Sequence, residues 1–208
     1  MKPAPSPLSG DLVGVYRTLP ARVIGWVMVA GAALLATLTV VDVAAGRHVD
    51  ASLAWPLALV VGLAAGAWAL FLRPHVRLYD DGVVLANVVT DSVVPFGAVE
   101  EVTHQWALEL HAKDGRRHSA WAVPVRRDRV RRKNIDDFAE TTRRRGSAGV
   151  TAQGVADVVH RTLQRFRLDG GQLRDSGTGT PAVVQRVAWS AVTTLGLALT
   201  LGVIALLG

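Results

Sequence analysis

The strongest chemical signal in the chain is a cluster of positive charge. Arg126, Arg127, Arg129, Arg131, Arg132 and Lys133 stand within one short stretch. Such a run attracts phosphate, and beside a negatively charged leaflet each residue contributes about 1 kcal/mol. The acidic residues come as sequence neighbours instead: Asp80 with Asp81, Glu100 with Glu101, Asp136 with Asp137. On a strand such neighbours point to opposite faces, which makes them poor catalytic dyads. His111 and His118 face each other across an expected hairpin with Glu109 nearby, too few ligands for a closed metal site. The chain has no cysteine, hence no disulfide, thiol nucleophile or sulfur-ligated zinc. It also lacks a G-x-S-x-G elbow, a phosphate loop, an H-E-x-x-H pair and a Gly-rich dinucleotide turn. These residues point to binding, without enzymatic activity, cofactor or metal.

The elements that must position the basic run are apolar helices on either side of it. Val23–Val41, Leu53–Leu72 and Val187–Leu207 carry no charged side chain. Each is long enough to cross a hydrocarbon core of about 30 Å at about 1.5 Å per helical residue. The fold class is therefore a membrane protein with three transmembrane α-helices and one polar domain. No span holds an ionisable group at depth, which argues against a pump or proton channel. Ala58, Gly62 and Gly66 recur at four-residue spacing, as do Ala198 and Gly202, so these are candidate helix-packing residues. Trp26, Trp55 and Trp189 stand near span ends, where indole prefers the interface.

Charge sets the orientation. The net charge of +6 fits either a nucleic-acid binder or the cytoplasmic excess of Lys and Arg in a membrane protein. Three uncharged spans favour the second, and nucleic acid is not expected as a partner. Lys2, Arg17 and Arg22 precede the first span, and most basic residues lie between the second and third. The N-terminus and the polar domain are thus expected inside. The 42–52 loop and the C-terminus are expected outside, in the cytoplasmic (plasma) membrane. A cleaved signal is not expected, because the first apolar run is too long and a second follows at once.

Residues 1–22 read as a tail. Pro3, Pro5 and Pro7 bar helix, and residues 12–19 suit a short interfacial helix or an irregular lead-in. From His75 the apolar period becomes two. Strands are expected around Val76–Leu78, Val83–Leu85, Val93–Phe96 and Val99–Gln105, with a tight turn at Asp80-Asp81-Gly82. Pro95 suggests an edge or bulge. Trp106–Val123 reads as a hairpin about Asp114-Gly115, with Leu108 facing Trp121 and Trp106 facing Val123. Asn134 could cap a short helix ending at Arg143–Arg145, and Thr151 caps a helix to Phe166 with Val155, Val159, Leu163 and Phe166 in one stripe. Residues 169–186, rich in Gly, Ser and Thr, read as a linker.

Arg77-Leu78-Tyr79-Asp80-Asp81-Gly82-Val83, Val94-Pro95-Phe96, Val99-Glu100-Glu101-Val102, the Leu108–Arg116 hairpin and the closing helix together resemble a pleckstrin-homology-like domain. The version they look like is the bacterial one of actinobacterial membrane proteins. The resemblance covers residues 73–168. It implies a cytoplasmic α+β domain, an antiparallel β-sandwich or barrel capped by a C-terminal helix. Two departures stand out. Six strands are legible where that fold has seven. The first hairpin turn, where some relatives hold phosphoinositides, is acidic here, so the Arg126–Lys133 run is the better candidate for lipid. The implied function is a membrane-anchored scaffold or binding module for a protein partner or anionic lipid headgroups. The competing reading is an accessory subunit of a larger membrane complex, binding through its spans.

Overall fold

The computed structural model describes residues 8–46, 53–104, 107–124, 152–171 and 182–207. Among them are eight strands and four long helices. In order these are β1 (Leu12–Tyr16), α1 (Leu19–Ala44), α2 (Ala54–Gly66, extended by a wide π-type turn over Ala67–Leu72), β2 (His75–Tyr79), β3 (Gly82–Ala86), β4 (Thr90–Pro95), β5 (Val99–Thr103), β6 (Ala107–Ala112), β7 (Arg117–Pro124), α3 (Ala152–Leu168), β8 (Val184–Val187) and α4 (Trp189–Leu207). The strands form a five-stranded sheet, β1-β2-β3-β4-β8, antiparallel from β1 to β4, and an antiparallel three-stranded sheet, β5-β6-β7. The chain divides into a sandwich unit and a helical unit.

The sandwich unit owes its core to alternation. Val76 and Leu78 of β2 point inward while Arg77 points out, and Val83 and Leu85 of β3 and Val94 of β4 complete that inner face. Val99, Leu108, Leu110 and Ala120 face them from the second sheet, and Val155, Val159 and Leu163 of α3 close the same core. The expected helical stripe is thus the buried face of α3. Phe96, in the 3-10 turn joining β4 to β5, is fully buried, and its ring lies 5.8 Å from that of Phe166. The Arg167 guanidinium donates to the carbonyls of Val99 and Glu100, at 3.3 and 3.2 Å, which fastens the helix end to β5. Gly170, at φ 72°, takes the left-handed conformation that ends a helix without a Cβ clash.

Residues 12–16 form neither the interfacial helix nor the irregular lead-in expected. They are β1, which pairs with β2 from Leu12↔Tyr79 to Tyr16↔Val76. This supplies a seventh strand to the sandwich, contributed from ahead of the helical pair α1 and α2. The expected six are β2 to β7. An edge strand buries little on either face, so Leu12, Val13 and Val15 stay exposed and show no clean period. The 169–186 stretch, expected as linker throughout, ends in strand β8. Pro95 closes β4 opposite Gly82, so its missing N–H falls at the strand end; β4 itself is flanked by β3 and β8 and is not an edge.

The β6–β7 hairpin also differs from expectation. Its loop is three residues, Lys113-Asp114-Gly115, not the two of an Asp-Gly turn. Gly115 takes φ 79°, Ala112 donates its N–H to the Arg116 carbonyl at 2.9 Å, and the Asp114 carboxylate accepts the Arg116 N–H at 3.0 Å. A left-handed glycine closing a three-residue loop is a stable alternative to the two-residue turn. The register becomes Leu110↔His118 and Leu108↔Ala120. One residue of slip exchanges the faces of a strand. His118 therefore turns inward, and Trp121 turns out.

In the helical unit, α1 spans 26 residues, Ala54–Leu72 19 and α4 19, each long and apolar enough to cross a membrane. Few of their side chains are buried against one another. Leu197, Leu199, Ile204, Leu206 and Leu207 of α4 are exposed, as are Trp26, Trp55 and Trp189 near the helix ends. α2 packs on α4, with a small buried cluster of Ala69, Ala188 and Ala191 beside Trp68 and Leu195. Gly25 lets α1 approach the end of α2: a Cβ there would stand 2.7 Å from Leu72 Cδ2 and 3.1 Å from Phe71 Cβ.

Candidate membrane-contact site

The six basic residues Arg126, Arg127, Arg129, Arg131, Arg132 and Lys133 lie outside the described residues. So do the Asn134-capped helix and Thr151. The strand that leads to the basic run is β7. The Asn87 side chain, just after β3, grips it twice. Its Oδ1 accepts the Trp121 N–H at 2.8 Å, and its Nδ2 donates to the Ser119 carbonyl at 2.9 Å. Ala120, Ala122 and Val123 fill the inner side. Arg117, Ser119 and Trp121 face outward, and the indole is 64% exposed. The hairpin reading placed Trp121 inside because it took Asp114-Gly115 as the whole turn. The longer loop is set by the left-handed Gly115 and by the Asp114 acceptor of the Arg116 N–H, neither of which the sequence displays.

His118 takes the inward position that a tryptophan was expected to share. It is 7% exposed, and its Nε2 finds no hydrogen-bond partner among the described residues. Burial pushes its pKa below the ordinary imidazole range; Asp114 opposes that shift and Arg116 adds to it. The neutral ring is therefore favoured in the fold, whereas an unfolded chain binds a proton below about pH 6.5. Stability contributed by this site is intact above that pH and is lost as pH falls towards the depressed folded value. The protection factors of the β6 and β7 amides, taken relative to the intrinsic exchange rate at each pH, are expected to fall between pH 7 and pH 5. His118→Leu should remove that pH dependence, and a wild-type chain with flat protection over the same range would contradict the assignment.

The acidic turn is structural. Asp81 Oδ2 accepts the N–H groups of Ser9 and Gly10 at 2.6 and 2.9 Å and the Ser9 hydroxyl at 3.4 Å, and so holds the segment leading into β1. Gly82 has no room for a side chain: a Cβ would stand 2.6 Å from Leu8 Cδ2 and 2.7 Å from the Val94 carbonyl oxygen. His111 lies opposite Arg117, not His118. Its Nε2 is 3.1 Å from the Thr103 hydroxyl and 4.0 Å from Glu109. Among the described residues no three His, Asp or Glu side chains are grouped to hold a metal ion. Burial raises the Tyr16 pKa, and Arg161 opposes the shift.

The candidate packing residues fall in different surroundings. Ala58 is buried, and Gly66 is half-buried, where a Cβ would stand 3.9 Å from Met28 Cε. Gly62 is exposed, and Gly62 and Gly202 have open space where a Cβ would be. Ala198 is half-buried. The buried face of α2 instead runs through Ala58, Ala65, Ala67 and Ala69. Comparison with protein families, with curated proteins and with solved structures gave no match to this chain.

Proposed function

We propose that the chain is a membrane-anchored, non-catalytic binding module of pleckstrin-homology-like architecture. Its sandwich would face the cytoplasm and contact anionic lipid headgroups or a protein partner there. The observation that carries this reading is the place of β1. With it, two antiparallel groups of consecutive strands, β1–β4 and β5–β7, precede one amphipathic helix. Seven strands thus precede the helix, the number the resemblance implies, and β8 joins the first sheet after it. The pairing of β1 with β2 also supports an even number of membrane crossings between them, as the distribution of Lys and Arg suggests.

The basic run between β7 and α3 is the candidate lipid contact. The test uses a soluble form in which residues 8–17 are joined by an Asn-Gly turn to residues 75–171. In co-sedimentation with phosphatidylglycerol vesicles, changing Arg126, Arg127, Arg129, Arg131 and Arg132 to Gln should weaken binding by about tenfold or more. Added salt should weaken the wild type similarly. Binding insensitive to both would remove lipid from the reading.

An accessory-subunit role is the second reading. It is favoured by the open small-residue positions Gly31, Gly62, Gly196 and Gly202, where an added Cβ would meet no atom of another element within 4 Å. Close helix approach uses such positions. Extraction in mild detergent would then bring the chain out with stoichiometric partners.

A further inference from the structure

We infer that Trp121 is an interfacial anchor that seats its indole among the lipid headgroups of the bilayer. The inference rests on the membrane-anchored reading but not on the basic run. Trp121 is the one exposed aromatic residue of β7, and it cannot retreat. Ala120, Ala122 and Val123 already fill the core beneath it, and the Asn87 carboxamide pins its backbone N–H and the Ser119 carbonyl. A large apolar ring is thereby held on the outer face of its strand. An indole has an apolar body and one N–H donor, the chemistry that suits the boundary between headgroups and acyl chains.

The bilayer is the occupant that chain connectivity keeps at hand. Only Arg17 and Thr18 separate β1 from α1, only Arg73 and Pro74 separate Leu72 from β2, and only Ala188 separates β8 from α4. Asn87 itself follows Ala86, the ladder partner of His75, where β2 begins. The loop residue that clamps Trp121 is thus next to the strand end that continues into an apolar helix. A soluble protein partner would have to find this indole by diffusion, whereas the bilayer is tethered to the five-stranded sheet, and Asn87 at the end of β3 in that sheet holds the strand of Trp121.

The test uses the full chain in phosphatidylcholine vesicles, with and without phosphatidylglycerol. Trp26, Trp55, Trp68, Trp106 and Trp189 are changed to Phe, so that Trp121 alone reports. Its emission should be blue-shifted and quenched several-fold more by a headgroup nitroxide lipid than by aqueous iodide. Free access to iodide with no quenching by the lipid nitroxide overturns the proposal, and so does shielding from both quenchers, which would mean burial against protein. The chain has no cysteine, so a second measurement avoids the five substitutions. A nitroxide on Ser119→Cys should become several-fold more accessible to an aqueous nickel chelate when Trp121→Ser is added; no change overturns the anchor. Repeating the quenching with the five Arg→Gln changes separates the two ideas. Quenching that survives those changes, while they abolish vesicle binding of the soluble form, shows an anchor independent of the basic run. Quenching absent from the wild-type run, while its soluble form still binds vesicles in a salt-sensitive way, removes the anchor and leaves the basic run.

Discussion

Residues 75–171 produced alone will not give a stable folded monomer. Without β1, the outer edge of β2 presents a row of unpaired N–H and C=O groups, a template for association with other chains. The ladder from Leu12↔Tyr79 to Tyr16↔Val76 is lost, with the Asp81 bonds to Ser9 and Gly10. Buried Leu8 and the packing of Tyr16 against the core go with them. Net hydrogen bonds are worth about 1 kcal/mol each and those to charged groups about 1.5–3. The total is on the order of the 5–15 kcal/mol that holds a typical domain folded. Joining residues 8–17 to residue 75 through Asn-Gly should restore a monomer with cooperative unfolding. Tyr16↔Val76 puts Arg17 across from His75, the spacing a two-residue hairpin turn spans. Equal folding by sedimentation and circular dichroism with and without residues 8–17 would mean that β1 is not part of the domain.

In that joined domain, Phe96→Ala should cost about 3–5 kcal/mol in denaturant unfolding, the usual range for a buried Phe truncated to Ala. Phe96 is fully buried at the corner between the two sheets and packs on Phe166 of α3, so its removal leaves a cavity where sheets and helix meet. Trp121→Ser, a larger truncation, should cost no more than about 0.5 kcal/mol in the same assay, because the indole faces out. The contrast reads the β6–β7 register directly. Were Trp121 opposite Leu108 on the inner face, the order of the two losses would approach equality.

What could be read from the residues depended on how local the physics was. The three apolar helices announced themselves by composition, and α3 by the stripe Val155, Val159, Leu163 and Phe166. β2 to β7 followed from alternation. β1 was hidden because its partner lies beyond two helices and because an edge strand keeps Leu12, Val13 and Val15 exposed, which erases the period of two. β8 was hidden by the Gly-, Ser- and Thr-rich stretch before it. The register of β6 and β7 turned on whether Lys113 belongs to the loop, a choice made by the left-handed Gly115 and the Asp114 acceptor, which composition does not fix. Of the candidate site, the charge of Arg126–Lys133 was legible, whereas the outward Trp121 beside it required the register.

The central claim is that the sandwich takes its first strand from ahead of the helical pair. The cysteine-free chain permits a direct test with paired cysteines at Val15 and Arg77, which are ladder partners. Opposed positions on neighbouring strands lie within the Cα separation a disulfide spans. Mild oxidation of native membranes should link Val15→Cys to Arg77→Cys almost completely. A control pair, Val15→Cys with Val84→Cys, is one strand further away and should stay reduced. Failure of the first pair to link, or equal linkage of the second, would contradict the account.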